Sequence, residues 1–318
     1  MTRVACIGEC MIELKQAQGD SQGGLFSRAF GGDTLNTAVY LARLGVEVDY
    51  ITALGDDPMS DEMIASWAAE GVGTGRVARL KGRLPGIYMI QTDEFGDRRF
   101  FHWRESAAAR SLMDLPETGD ILDSLATYDV VYLSAVTLSI YSAPGRAKLI
   151  GALNRARKQG ARIVFDTNFR VRGWPDPDIA RAVFDEAFAA SDIVLASTED
   201  LLPLYPYESD ERLMERIPRG EAVLRRLELA SMVRLEGVLR EVRAEPVEMP
   251  VVDTTAAGDS FSAAYIATRL GGAEPAEAAQ AGHRLGGVVA CYPGAIIPRS
   301  AMPANILPGP ASTRKASR

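Results

Sequence analysis

The stretch VVDTTAAGDSFSAAY, Val251 to Tyr265, places a lone carboxylate, Asp259, directly after a run of small residues ending in Gly258, where an amphipathic segment begins. Small residues let the backbone turn tightly and expose several N–H groups at a helix start. Unpaired amides and the helix dipole there favour an anion. A carboxylate in that place has a use if it accepts a proton from a hydroxyl attacking a phosphate. Phosphoryl transfer asks mainly for positioning, charge stabilisation and a base aimed at the nucleophile. The same residues also fit a plain helix start, with Asp259 complementing the dipole and Gly258 turning the chain.

A second stretch, AFGGDTLNTAVYLARLG from Ala29 to Gly45, carries Gly31 and Gly32 ahead of a helical pattern. Paired glycines allow backbone to approach a ligand closely. Asn36, one turn into the helix, offers both a donor and an acceptor to a sugar hydroxyl. The bland alternative is a glycine turn with Asp33 or Thr34 capping the helix.

Short apolar strands alternate with helical patterns along the chain. Strands are expected over Arg3–Gly8, Val46–Leu54, Asp129–Val136, Arg162–Asp166 and Asp192–Ala196. Helices are expected over Thr34–Leu44, Ser60–Glu70, Pro144–Gly160, the segment after Ser260, and Pro275–Ala290. Such alternation implies an α/β fold whose mostly parallel sheet has helices on both faces. Ligands in such sheets bind at the carboxyl ends of the strands. Two segments break the rhythm. Met11–Phe30 lacks a helical period, and Leu80–Trp103 reads as a hairpin turning at Glu94–Asp97. Together, about 11–30 and 80–108, they predict a small β lid on a single domain over 1–308. The tail, 309–318, reads as disordered.

The 318 residues are 47% hydrophobic, with a net charge of −7 and a pI near 5.1. The absence of a Lys/Arg run argues against a nucleic-acid partner, and no apolar run is long enough to span a membrane. Three cysteines, Cys6, Cys10 and Cys291, read as reduced thiols of a cytoplasmic protein. With only His102 and His283 present, a histidine-rich metal site is excluded by counting.

The two stretches together resemble the signatures of the ribokinase-like, or PfkB, carbohydrate kinases. GGDTLNTA is similar to the first signature and DTTAAGDSF to the second, and the likeness runs from about Val4 to Pro303. GECMIEL, YITALGDD, RLPGIYMI, FDTNFR and GAIIPRSAMP are most similar to the 2-keto-3-deoxygluconate branch. The resemblance implies a three-layer α/β sandwich with a β lid. It implies transfer of phosphate from ATP·Mg2+ to the terminal hydroxyl of that acid sugar. Asp259 would be the base, and Ala256, Ala257 and Gly258 the anion hole. Gly32, Asp33, Asn36, Tyr88, His102, Arg104 and Arg170 would meet the sugar. Two arginines suit a substrate that carries a carboxylate, although each also fits a solvated surface residue. Asn168, Ser197, Arg234, Gly237, Gly258 and His283 would lie on the nucleotide side. Asp253 and the Thr255 carbonyl would hold a monovalent cation such as K+, and Asp200 would influence Mg2+. A homodimer through the lids is implied, with Ile87, Met89 and Phe101 on its apolar face.

The sequence departs from the pattern in three places. His102 stands where the branch has tyrosine. Ser197 and Asp200 replace an Asn-x-x-Glu motif. In Leu201–Val247 the apolar residues Val223, Leu227, Ala230, Val238 and Val242 have more helical than strand spacing, with Met232–Gly237 as the remnant of a nucleotide-binding turn. Two other readings therefore stay open: a fructokinase-like enzyme, or a sugar-binding relative with a degraded nucleotide site.

Overall fold

The computed structural model describes residues 2–16, 24–92 and 98–307. Thirteen strands form two sheets among these residues. In chain order they are β1 (Arg3–Ile7), β2 (Met11–Gln16), β3 (Phe26–Gly31), β4 (Glu47–Gly55), β5 (Val77–Leu80), β6 (Ile87–Thr92), β7 (Arg98–Trp103), β8 (Val130–Ser134), β9 (Arg162–Asp166), β10 (Ile193–Ser197), β11 (Glu221–Arg225), β12 (Ala230–Leu235) and β13 (Val238–Arg243). The main sheet has the order β13-β12-β11-β10-β9-β8-β1-β4-β5. Its strands from β11 to β5 run parallel, while β12 pairs antiparallel with β11 and β13 antiparallel with β12.

Alternation along the buried strands sends side chains into two separate cores. Ala5, Ile7, Leu133 and Phe165 face one layer with Leu149, Leu153 and Phe184. Val4, Cys6, Tyr132 and Val164 face the other with Leu35, Val39, Tyr265 and Leu285. The expected three layers follow: helices Ala143–Lys158 and Pro177–Ala190 on one side, and Asp33–Arg43, Ala257–Leu270 and Pro275–Val289 on the other. Helix starts are set by local chemistry. The Asp57 side chain accepts from the Met59 and Ser60 amides at 3.0 and 3.1 Å, and Pro58 occupies the first helical position.

The smaller sheet has the order β3-β2-β6-β7, so β2 and β3 join the hairpin strands β6 and β7 through the β2–β6 pair. The hairpin's tip at Glu94–Asp97 and the tail 309–318 lie outside the described residues. Leu80 belongs to the main sheet, where β5 pairs with β4. Cross-strand register puts Glu13, Tyr88 and His102 on one face, and Leu14, Met89 and Phe101 on the other.

Leu201–Val247 corrects its sequence reading. Instead of a helical run it contains β11, β12 and β13, after a short helix at Asp210–Glu215. The apparent period joined residues from three different strands and a turn. Leu227, one of its members, is 71% exposed.

Candidate active site

The Ala257–Leu270 helix begins at Ala256, which holds the left-handed conformation with φ 60° and no side-chain cap. A non-glycine residue in that region costs about 1–3 kcal/mol and persists only where its surroundings impose it. Here it turns the chain so that the first helical turn opens towards the carboxyl ends of the parallel strands. Amides in a first turn have no intrahelical acceptor. Ala257 is an exception to the expected anion hole, because its amide donates to the Thr254 carbonyl at 3.2 Å.

Asp259 lies in that turn and ties the two signatures together. Asn36 Nδ2 donates to Asp259 Oδ2 at 2.8 Å, and Thr37 Oγ1 donates to the Asp259 carbonyl at 3.2 Å. Burial pushes the Asp259 carboxyl up to about 8, Asp33 and Asp166 add to the rise, and the Asn36 hydrogen bond opposes it. A carboxyl raised this far is suited to accept a proton near neutral pH. Asn36 is 5% exposed, and its Oδ1 is buried with no hydrogen-bond partner among the described residues. Gly32 caps the Asp33–Arg43 helix. A Cβ there would fall 2.2 Å from the Glu9 carbonyl oxygen, so the close approach demands glycine. Asp33 is not a cap; its Oδ2 accepts from Asn168 Nδ2 at 2.6 Å.

The residues expected on the sugar side come from three elements. The Tyr88 hydroxyl donates to Glu13, and its ring stacks on His102 at 5.9 Å. Burial holds the His102 imidazole below its ordinary range, and Arg104 and Arg172 push the same way. Arg104 is ion-paired with Glu9, a residue 2% exposed that sequence reasoning did not single out. Arg170 reaches Asp200 at 3.3 Å while its side chain stays 63% exposed.

Asp200 is saturated by protein donors. It accepts from Thr167 Oγ1 at 3.0 Å, Ser197 Oγ at 2.7 Å, the Phe169 amide at 3.1 Å, and Arg170. It therefore organises the loop that carries Asn168 and Arg170, and its oxygens do not fit direct metal ligation. Ser197 acts in the same network by capping the turn at Thr198.

Arg234 and Gly237 are not brought to the site. Strand β11 runs parallel to β10 and ends at Arg225, so the antiparallel β12 returns to the opposite sheet edge, where Ala222 pairs with Arg234. Arg234 donates there to the Met214 and Ile217 carbonyls at 3.0 and 2.6 Å. Gly237, at φ 79°, turns β12 into β13.

The basic residue that does reach the site is Arg225, at the carboxyl end of β11. Its Nη2 donates to Asp166 Oδ1 at 3.4 Å, while Nε and Nη1 are buried with no hydrogen-bond partner among the described residues. A Cβ on Gly258 would stand 2.7 Å from Nη1, so the guanidinium lies directly behind the open helix start. Asp166 also accepts from Ser262 Oγ at 2.6 Å and the Tyr132 hydroxyl at 3.2 Å. His283 is close by, with Nε2 2.9 Å from Ser231 Oγ and its ring edge-on to Phe261. Burial, then Arg225, lower its pKa to about 4, so the ring is neutral at physiological pH. The signal for Arg225 was its position straight after the apolar run Ala222–Leu224, legible only once that run is taken as a strand.

No helix among the described residues is long and apolar enough to cross a membrane. The three cysteines are free thiols, Cys6 and Cys10 buried.

Comparison with known proteins matches residues 1–302 to the pfkB family carbohydrate kinase. The chain is 42% identical over 312 residues to the 2-dehydro-3-deoxygluconokinase of Dickeya dadantii, covering 95% of this chain and 98% of that protein. It is 40% identical over 313 residues to the Escherichia coli K12 protein of the same name, covering 95% and 99%. Among solved structures, the 2-dehydro-3-deoxygluconokinase of Thermotoga maritima superposes with a TM-score of 0.79 at 21% identity, covering 93% of this chain and 96% of that one.

Proposed function

This chain belongs to the pfkB family of carbohydrate kinases, and from that premise we propose that it phosphorylates 2-keto-3-deoxygluconate, also called 2-dehydro-3-deoxygluconate, on its terminal hydroxyl. The observation that carries the reading is Asn36 holding Asp259 at 2.8 Å at an open helix start. Asp259 takes the proton of the hydroxyl. The freed oxygen bonds to the γ-phosphorus of ATP as the bond from that phosphorus to the β,γ-bridging oxygen breaks, and ADP leaves with the pair. The Gly258 amide and Arg225 meet the charge on the transferring group, where preorganised donors act most strongly. A divalent ion, Mg2+ in this reading, neutralises phosphate charge and travels with the nucleotide, since Asp200 is committed to protein donors. His283 borders the nucleotide side as a neutral ring, and Asn168 positions Asp33.

Arg104 and Arg170 support an acid substrate. Their guanidinium groups meet a carboxylate in paired geometry, and relatives 40% and 42% identical to this chain carry the matching name. Tyr88, His102, Gly32 and Asp33 line the sugar's path, and the small sheet closes over it as a lid. The outward face of that sheet, with Phe101 40% and Trp103 58% exposed, supports a homodimer in which two lids cover each other; Ile87 and Met89, half-buried there, contribute less. The free thiols support a cytoplasmic location. With β11 to β13 in place, the helical spacing that favoured a degraded nucleotide site is gone. A coupled ADP-release assay over 2-keto-3-deoxygluconate, gluconate, fructose and ribose tests the proposal. A clear preference for the first supports it, and equal rates with fructose overturn it.

A further inference from the structure

Asp253 is 3% exposed and stands at the foot of the loop that leads to Ala256. Its Oδ1 accepts from the Thr255 amide at 3.1 Å and the Thr255 hydroxyl at 2.6 Å. Its Oδ2 accepts from the Gly294 amide at 3.1 Å and pairs with Lys15 Nζ at 3.3 Å. A buried carboxylate needs a counter-charge. Here the chain supplies it from β2 of the small sheet, with the Lys15 side chain itself 24% exposed. The family resemblance gives this carboxylate and the Thr255 carbonyl to a free monovalent cation. A carboxylate already met by four protein donors, one of them an ammonium group, does not fit that ion.

We infer that Lys15 is a tethered cation for the loop presenting the anion hole, replacing a free monovalent ion at Asp253. The consequence runs along the backbone. Asp253 fixes the Thr255 amide and hydroxyl, the next residue is the left-handed Ala256, and the helix carrying Asp259 starts one residue later. Lys15 also lies two residues from Glu13, the partner of Tyr88. The charge that steadies the loop therefore arrives with the same strand that faces the sugar, and a lid displaced from the main sheet would withdraw it.

The test compares the full-length protein in KCl, NaCl and tetramethylammonium chloride at equal ionic strength, reading Tm and turnover. Only the turnover arm rests on the proposed kinase activity; the Tm arm needs no substrate, so failure of one is distinguishable from failure of the other. The wild type is expected to show the same Tm and rate in all three salts. Lys15→Met is expected to have a lower Tm and rate in tetramethylammonium, both restored saturably by K+. Lys15→Arg is expected to stay indifferent to the cation. A saturable K+ response of the wild type overturns the inference. So does a Lys15→Met protein that matches the wild type in every salt, or one whose losses K+ does not restore. Should Lys15→Met fail to fold, the wild type and Lys15→Arg decide, and a K+ requirement in either overturns it.

Discussion

Asn36 and Asp259, 223 positions apart in the chain, meet through a 2.8 Å hydrogen bond between the first turns of two helices. One helix is entered through Gly32 and the other through Ala256. The proposed sugar contact and the proposed proton acceptor thus share one bond, so any change at Asn36 is felt in the protonation of Asp259.

This relationship predicts a pH effect. A hydrogen bond donated to a carboxylate favours its charged form. Asp259, raised to about 8 by burial, acts as a base only when deprotonated, so kcat/KM should rise with pH through that region. Asn36→Ala removes the donor and moves the inflection to higher pH. Its deficit relative to wild type should shrink between pH 7 and pH 9, as read from pH–rate profiles of both proteins. An unshifted inflection would separate Asn36 from the titration.

Arg104 should govern discrimination between acid and neutral sugars. Hydrogen bonds to charged groups contribute about 1.5–3 kcal/mol, so Arg104→Ala should raise KM for 2-keto-3-deoxygluconate about ten- to a hundredfold. KM for fructose should hardly change. Steady-state kinetics with both sugars measure this, and parallel losses would assign Arg104 to lid packing through Glu9.

Gly32→Ala tests the close approach. The new methyl would meet the Glu9 carbonyl oxygen at 2.2 Å, and relief requires backbone movement. Overpacking of this kind costs about 1–3 kcal/mol, visible as a lower urea midpoint with an unchanged slope.

Arg225→Met should lower both nucleotide affinity and turnover while leaving sugar affinity in place, because the guanidinium lies behind Gly258 and away from Tyr88 and Arg104. Arg225→Lys should recover part of the loss by restoring charge without the second donor. Calorimetry with an ATP analogue and with the sugar separates the two affinities.

The parts of this architecture legible in the sequence share a cause. Asp259, Gly32 and Asn36 sit in runs of small residues whose backbone demands are local, and the hairpin is announced by two runs of apolar and aromatic residues, Ile87–Ile90 and Phe100–Trp103, on either side of a polar stretch. Strand β11 was hidden because it is buried on both faces and only five residues long; nothing in it alternates. Arg225 was missed with it, and Arg234 and Gly237 were placed on the nucleotide side because Met232–Gly237 resembles the nucleotide-binding turn, whereas β12 carries them to the other sheet edge. Lys15 and Asp253 are separated by 238 positions, and no local pattern announces such a pair. Glu9 was not singled out because nothing local in the sequence shows that the fold buries it beside Arg104.

The central claim is that Asp259 removes the proton from the sugar hydroxyl. Asp259→Asn keeps size and hydrogen bonding while removing the base, and general-base removal costs about a hundred- to ten-thousandfold in rate. The direct measurement is turnover of this variant by ADP release, with sugar affinity read separately by calorimetry. Turnover that collapses while affinity for 2-keto-3-deoxygluconate stays near wild type is the predicted result. A variant that turns over like the wild type would contradict the account.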